Sequence, residues 1–152
     1  MEEIVNRVAS SKLKTFDLED YYPQGKRMQL DISQWLVEGF LLRESSFRES
    51  LKTYNWEQYD DAYVALHCST DAIIPGWAFM LVTTYLAQAR KVVKGTLEDL
   101  ETILFTEQLN TVDYSKFEGE YVIVKGCSNK PVPQNAYLLL LQRLQPIVKS
   151  LM

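Results

Sequence analysis

The stretch YVALHCSTDAIIPGWAF, residues 63–79, and the stretch YVIVKGCSNKPVPQNAY, residues 121–137, repeat one pattern. Each begins with Tyr-Val and an apolar run, passes through Cys-Ser and a short polar loop, and ends in Pro-x-x-Ala-aromatic. A short apolar run of this kind predicts a buried strand. Proline suits the first turn of a helix, because the N–H that it lacks would be unpaired there. The two stretches therefore predict two strand–loop–helix units, each with a cysteine where its strand ends.

Strand and helix signals alternate from residue 63 onward. Thr96 and Asp99 have capping-box spacing and predict the start of a helix, whereas Pro146 should end the last helix at Gln145. The predicted strands are residues 63–66, 91–94 and 121–125, and the predicted helices are residues 75–89, 96–109 and 134–149. Such alternation indicates parallel strands joined by right-handed crossovers. We expect an α/β fold, a three-layer sandwich with helices on both faces of one mostly parallel sheet of about five strands.

The N-terminal third predicts a short helix, a hairpin and a longer helix. The helix is expected over residues 3–9, and the hairpin over residues 13–18 and 27–32, where it would extend the sheet at an edge. Asp31 and Gln34 then resemble a capping box that begins an amphipathic helix over residues 33–53. The expected organisation is one domain of residues 1–152, comprising residues 1–32, 33–54 and 61–152 with a short connection between the last two.

The composition excludes several classes of protein. The 152 residues carry a formal net charge of -4, and the 16 basic residues are scattered, so the electrostatic footprint of a nucleic-acid-binding protein is missing. No apolar stretch reaches the roughly 18–20 residues of a membrane span, and the acidic N-terminus does not resemble a secretory signal. Neither a P-loop nor a Gly-x-Gly-x-x-Gly motif occurs, so we expect no nucleotide cofactor. These features predict a cytoplasmic protein with no nucleic-acid or membrane partner and with reduced cysteines.

The repeated Cys-Ser corner predicts the position of a site. If strands 91–94 and 121–125 pair on opposite sides of strand 63–66, the winding direction reverses between the two cysteine-bearing strands. Open α/β sheets bind ligands at such a switch point. Helix N-termini and loop N–H groups there would favour a thiolate or a bound anion. The predicted ligand-binding residues are Cys68, Ser69, Asp71, Cys127 and Ser128.

Three interpretations of the two cysteines stay open at this stage. In the first, the cysteines are simply small residues that fit a crowded corner. In the second, Cys68 and Cys127 ligate zinc or iron together with His67 or Asp71. In the third, they form a thiol nucleophile or a redox pair. The last is weakened because His67, the only histidine, directly precedes Cys68, and neighbouring side chains diverge on a strand. Enzymatic activity stays undecided. The expected partner is a small molecule or a metal ion, and homo-oligomerisation is also open.

Four segments of the sequence together suggest a family. They are DLEDYYP, WLVEGFLLRE with the following FRE, CSTDAIIPGWAFM, and KGCSNKPVP with the following AY. Over essentially the whole chain they resemble the bacterial family of unknown function numbered 2480. The resemblance implies counterparts of Cys68, Asp71 and Cys127 in relatives, while the position of His67 often holds another residue. It also implies that many relatives continue past the last helix into a short tail with a further Cys-Ser-Thr. If the cysteine of that tail helps to form the site, a three-thiolate metal site becomes possible for the family.

Overall fold

Six short strands organise the part of the chain that the computed structural model describes, residues 13–126 and 128–152. The strands are β1 (Leu13–Asp17), β2 (Arg27–Asp31), β3 (Tyr63–His67), β4 (Lys91–Lys94), β5 (Tyr121–Lys125) and β6 (Ser150–Leu151). The α-helices of this part are α1 (Glu44–Thr53), α2 (Gly76–Tyr85), α3 (Leu97–Leu109) and α4 (Gln134–Leu144). The predicted α/β class is confirmed. The helix expected over residues 3–9 lies outside the described residues.

The strands form two parallel sheets of three strands, in the orders β2-β3-β4 and β1-β5-β6. The chain divides accordingly into two compact units. Residues 24–100 form the contiguous unit, and residues 1–23 with 101–152 form the split unit. That residues 1–152 make one domain stays a prediction.

One sheet of about five strands in a three-layer sandwich is not confirmed. Both edges of β3 pair with β2 and β4, and both edges of β5 pair with β1 and β6, so β3 and β5 belong to different sheets. The expected switch point between these two strands is therefore not formed.

The hairpin predicted from residues 13–18 and 27–32 is wrong. Asp17 accepts a hydrogen bond from the Glu19 N–H at 3.0 Å and caps the 3-10 helix Leu18–Tyr21, which takes the place of a tight reversal. β1 and β2 consequently pair with strands that lie far along the sequence, and both pairings are parallel.

The two units share one plan, which extends the repeat seen in the sequence. Tyr63 of β3 is in register with the first residue of β2, and Tyr121 of β5 with the first residue of β1. Before each central strand stands a residue with positive φ, Asp61 (60°) or Gly119 (71°). The Asp61 N–H donates to the Gln88 carbonyl, shortly before β4, at 2.9 Å. The Gly119 N–H donates to the Ile147 carbonyl, shortly before β6, at 2.7 Å. The register and the turn geometry together indicate an internal structural duplication.

The cores of the units are filled by equivalent side chains. Phe47 and Leu51 of α1 are completely buried, as are Phe105 and Leu109 in α3. After each helix an aromatic side chain donates a hydrogen bond to the carbonyl of the buried leucine. Trp56 Nε1 donates to Leu51 and Tyr114 Oη donates to Leu109, both at 2.7 Å. The second helix of each unit buries another matched set, Ala78, Val82 and Leu86 in one and Ala136, Leu140 and Leu144 in the other.

The single helix expected over residues 33–53 is wrong in its first half. Asp31 does cap a helix, accepting from the Ser33 N–H at 2.9 Å, but this is the short 3-10 helix Ile32–Trp35. Glu38 and Gly39 then take φ values of 54° and 82°, which no α-helix contains, and α1 begins only at Glu44. Helical spacing of apolar residues alone did not reveal this break.

Other local predictions are confirmed. The Thr96 N–H donates to the Asp99 carboxylate at 2.8 Å and the Asp99 N–H returns a bond to Thr96 Oγ1 at 3.1 Å, a complete capping box at the start of α3. The last helix does not reach residue 149 as predicted but ends at Leu144, two residues before Pro146, which was expected to kink or end it at Gln145. Within the described ranges, no helix has both the length and the apolar character needed to cross a bilayer.

Equivalent core positions should contribute equally to stability. We expect Phe47→Ala and Phe105→Ala each to lower the free energy of unfolding by about 3–5 kcal/mol, because each leaves a cavity in a buried core. Urea denaturation followed by circular dichroism measures the change. Phe40→Ala is the matched control and should change stability by less than about 0.5 kcal/mol, since Phe40 is mostly exposed. Near-neutral Phe105→Ala would contradict the duplicated core.

Candidate functional site

The partly buried carboxylate of Asp31 joins the end of β2 to the loop that follows β3. Asp31 Oδ1 accepts from the Ser33 N–H at 2.9 Å and from the Ser69 N–H at 3.0 Å, and Oδ2 accepts from the Ser69 hydroxyl at 2.5 Å. The loop is thus tied to the neighbouring strand at the residue directly after Cys68.

The electrostatics of this junction are set by its hydrogen bonds. Partial burial raises the pKa of Asp31, but the donors of Ser69 and Ser33 outweigh it and lower that pKa from 3.8 to about 2. Asp31 is therefore ionised at neutral pH. The Ser69 N–H is one of the loop N–H groups that the sequence predicts to favour a thiolate or a bound anion, and it is already occupied by this internal carboxylate.

The split unit closes its equivalent corner with another residue. The Glu19 carboxylate accepts from the Ser128 N–H at 2.5 Å and from the Asn129 N–H at 3.1 Å. The Ser128 bond is the main cause that lowers the pKa of Glu19, with burial opposing it and Asn129 and Lys130 adding to it. Ser128 is thus used for internal bonding. Cys127, predicted to be a ligand or metal-binding residue, lies outside the described residues.

Cys68 is half-buried beside a cavity of about 280 Å³ at the carboxyl end of β3. Its thiol donates to the Thr70 carbonyl at 3.6 Å and lies 3.4 Å from Thr70 Oγ1. The residues that line the cavity come from β3, the following loop, α2 and the end of β4: His67, Cys68, Thr70, Ala72, Ile74, Phe79, Lys94 and Gly95. His67 Nδ1 is shielded from solvent and has no hydrogen-bond partner in the described part of the chain.

The charged residue among the described residues that line the cavity is the cation Lys94. Lys94 extends over Phe79, with Nζ 4.7 Å from the ring centroid, where a cation is attracted by the aromatic face. No Asp or Glu is among the described residues that line the cavity. The Asp99 carboxylate lies beside Gly95 and bonds to the Thr96 N–H, and the Asp31 carboxylate bonds to Ser69. The cavity lining therefore combines an imidazole, a thiol and an ammonium group and contributes no carboxylate of its own.

The predicted site residues do not all meet in this cavity. Cys68 lines it, whereas the Ser69 hydroxyl bonds to Asp31. Asp71 lines a different depression, described below. Sequence reasoning missed Lys94, although the signal was present: Lys94 ends a predicted parallel strand, and the carboxyl ends of such strands share one sheet edge.

A metal site at the cysteines stays a prediction. In the described residues, no cluster of three or more His, Cys, Asp or Glu side chains has the geometry to hold a metal ion. Cys68 and Ser128 belong to different units, each of which has its own strand-end corner.

The chain can be assigned to a family over nearly its whole length. The family model described as "Protein of unknown function (DUF2480)" matches residues 2–152, and the chain belongs to that family. Searches of curated proteins and of solved structures gave no significant match.

The Asp31 junction should make a pH-dependent contribution to stability. We expect Asp31→Ala to lower the free energy of unfolding at pH 7 by about 1–2 kcal/mol, because the Ser33 and Ser69 donors lose their acceptor. Since the folded-state pKa of Asp31 is about 2, below its unfolded value of about 3.9, this contribution is complete above pH 4 to 5. It is lost as the pH falls toward 2.

Urea denaturation between pH 2.5 and 7 measures the difference between wild type and the variant. That difference should narrow below pH 4. Asp17→Ala is the matched control, since Asp17 caps the equivalent 3-10 helix through the Glu19 N–H, and we expect it to cost less. A wild-type-to-variant difference that stays constant over this range would contradict the role of the Asp31 carboxylate.

Proposed function

We propose that this member of the DUF2480 family binds a small oxyanion, a carboxylate or a phosphate, in the cavity beside Cys68. The observation that carries the proposal is the charge of the lining. Lys94 is a cation, His67 is a polar group that can donate, and the described lining contains no carboxylate. An anion would be attracted by this set, whereas a cation would meet no counter-charge.

The size of the cavity limits the ligand. Its volume of about 280 Å³ is near the lower end of the roughly 300–1,000 Å³ range of small-molecule sites. Ile74 and Phe79 supply apolar walls beside the polar groups. A ligand of a few non-hydrogen atoms with one anionic group and a short apolar part fits this description.

The unpaired nitrogen of His67 supports a hydrogen-bonding ligand. A buried polar atom without a partner costs about 1–3 kcal/mol, and such atoms are rare in folded proteins. Nδ1 is shielded from solvent, so a ligand oxygen would recover that cost only when the imidazole turns to expose Nδ1 to the cavity. His67 would then help to orient the ligand, while Lys94 would supply most of the attraction.

The same cavity is a weaker candidate for thiol catalysis. An activated cysteine needs a general base within hydrogen-bond reach, and the Cys68 thiol is bonded to Thr70. Binding is therefore favoured over nucleophilic chemistry. That Cys68, Ser69 and Asp71 serve one ligand together with Cys127 and Ser128, through a metal or otherwise, stays a prediction.

Anion binding can be detected at a single resonance, because His67 is the only histidine in the chain. We expect phosphate or acetate to shift the imidazole proton signals of His67 in a saturable titration. Lys94→Gln should weaken the binding of either probe about five- to tenfold, since it removes the cation at the cavity. Which of the two probes binds more tightly distinguishes a phosphate from a carboxylate ligand.

Lys52→Gln is the matched control, because Lys52 is an exposed lysine that pairs with Glu49 outside the cavity. It should leave the titration unchanged. A His67 signal that does not respond to either probe, or that responds equally in Lys94→Gln, would contradict the proposal.

Alkylation of Cys68 by iodoacetamide tests the alternatives that involve the thiol. If Cys68 only lines an anion site, labelling should slow when the preferred anion is added and should be unaffected by a chelator. A metal-bound thiolate would instead be labelled faster after chelation. Mass spectrometry of tryptic peptides follows Cys68 separately from Cys127. Acceleration by chelator would favour the metal interpretation over the anion proposal.

A further inference from the structure

The contiguous unit has a second and larger depression, a groove of about 540 Å³. Its lining is contributed by the segment before α1, the first residue of α1, the loop after β3 and the start of α2: Phe40, Leu41, Leu42, Glu44, Asp71, Ala72, Ile73, Pro75 and Trp77. Two of these described lining residues are charged, Glu44 and Asp71, and both are acidic.

Large apolar side chains in this groove are open to solvent. Ile73 is 96% exposed, Phe40 58% and Leu41 48%. Single exposed apolar residues are ordinary, but several around one groove are typical of an interaction site.

The duplicated architecture offers an internal comparison for Ile73. Counting back from the prolines that precede α2 and α4, Ile74 corresponds to Val132 and Ile73 to Pro131. Ile74 and Val132 are both largely buried, so that position has a packing role. The corner of the split unit forms without a large aliphatic side chain at the next position. The fold therefore does not require Ile73.

The exposed Phe40 is presented by a tight turn. Glu38 and Gly39 both have positive φ, and the Phe40 N–H donates back to the Val37 carbonyl at 3.2 Å. Left-handed backbone at a residue other than glycine costs about 1 kcal/mol or more and is concentrated at functional sites. Here the strained turn holds an aromatic side chain in solvent at the edge of an apolar groove.

The acidic lining defines the charge of the partner. Glu44 is paired with Arg48 at 3.0 Å, whereas Asp71 forms no ion pair with any described residue. We infer that this groove docks a peptide segment of another protein, in which a bulky apolar side chain enters beside Ile73 and an adjacent Lys or Arg pairs with Asp71. The apolar contact would supply most of the affinity, and the ion pair would select the sequence.

A second copy of this chain is a poorer occupant. A symmetric dimer with the groove on its two-fold axis would place two acidic grooves face to face. The inference is independent of the anion cavity, since none of His67, Cys68 and Lys94 lines the groove.

A displayed library of random 12-residue peptides, selected on the whole protein, tests the inference. We expect the selected peptides to share a bulky apolar residue close to a Lys or Arg. As synthetic peptides they should shift the indole N–H resonance of Trp77, which Trp77→Phe assigns. Ile73→Asp should weaken their binding at least about tenfold, and Asp71→Asn about two- to fivefold. Ile73→Asp is not expected to affect folding, because the side chain is almost fully exposed.

Met80→Asp is the matched control, since Met80 is 71% exposed on α2 but does not line the groove, and it should bind the peptides normally. Three results would overturn the inference: selected peptides without a basic residue, binding that Ile73→Asp leaves intact, or a dimer in light scattering that Ile73→Asp dissociates. If the protein binds phosphatidylglycerol vesicles in a way that depends on Ile73, the partner of the groove is a membrane surface and the peptide inference is overturned.

Discussion

Parallel pairing is the constraint on which each unit depends. Parallel neighbours cannot be joined by a tight turn, so every pairing in these sheets requires a long connection. β3 is paired on both edges and buried along Tyr63–Leu66, and β5 has the same place in the other sheet. The helices and 3-10 turns fill the connections between these strands. Because all three strands of a sheet run the same way, their carboxyl ends meet at one edge, and the cavity beside Cys68 lies there.

The carboxylates at this edge limit what the loops can do. Asp31 occupies the Ser69 N–H, and Glu19 occupies the N–H groups of Ser128 and Asn129. The two units use different acids from different positions for the same purpose, which indicates that closing the corner matters more than the residue that closes it. The proposed ligand would therefore be bound by side chains such as Lys94 rather than by these strand-end amides. With its start tied to Asp31, the loop after β3 contributes to both the cavity and the groove.

Sequence reasoning predicted what nearby residues determine. The capping box of Thr96 and Asp99, the strand 63–66 and the effect of Pro146 depend on interactions within a few positions, and all three are confirmed. Strand pairing depends on residues far apart in the sequence, and there the hairpin was wrong and the single sheet was not confirmed. Periodicity also hid the turn at Glu38 and Gly39, because apolar spacing does not report positive φ. For the site, the strand-end rule located Cys68 correctly but was not applied to Lys94.

Duplication separates the residues that make the fold from those that are free to serve a function. Buried positions are matched between the units, as with Phe47 and Phe105, because each copy needs the same core. The residues assigned to binding are unmatched: the register equates His67 with Lys125, and the loops equate Ile73 with Pro131. A buried imidazole nitrogen without a partner is unfavourable for an isolated domain, and Ile73 is one of several exposed apolar side chains around one groove. Since the split unit forms the same plan without either, the contiguous unit retains two features that folding does not explain, and the two proposed binding roles would account for them.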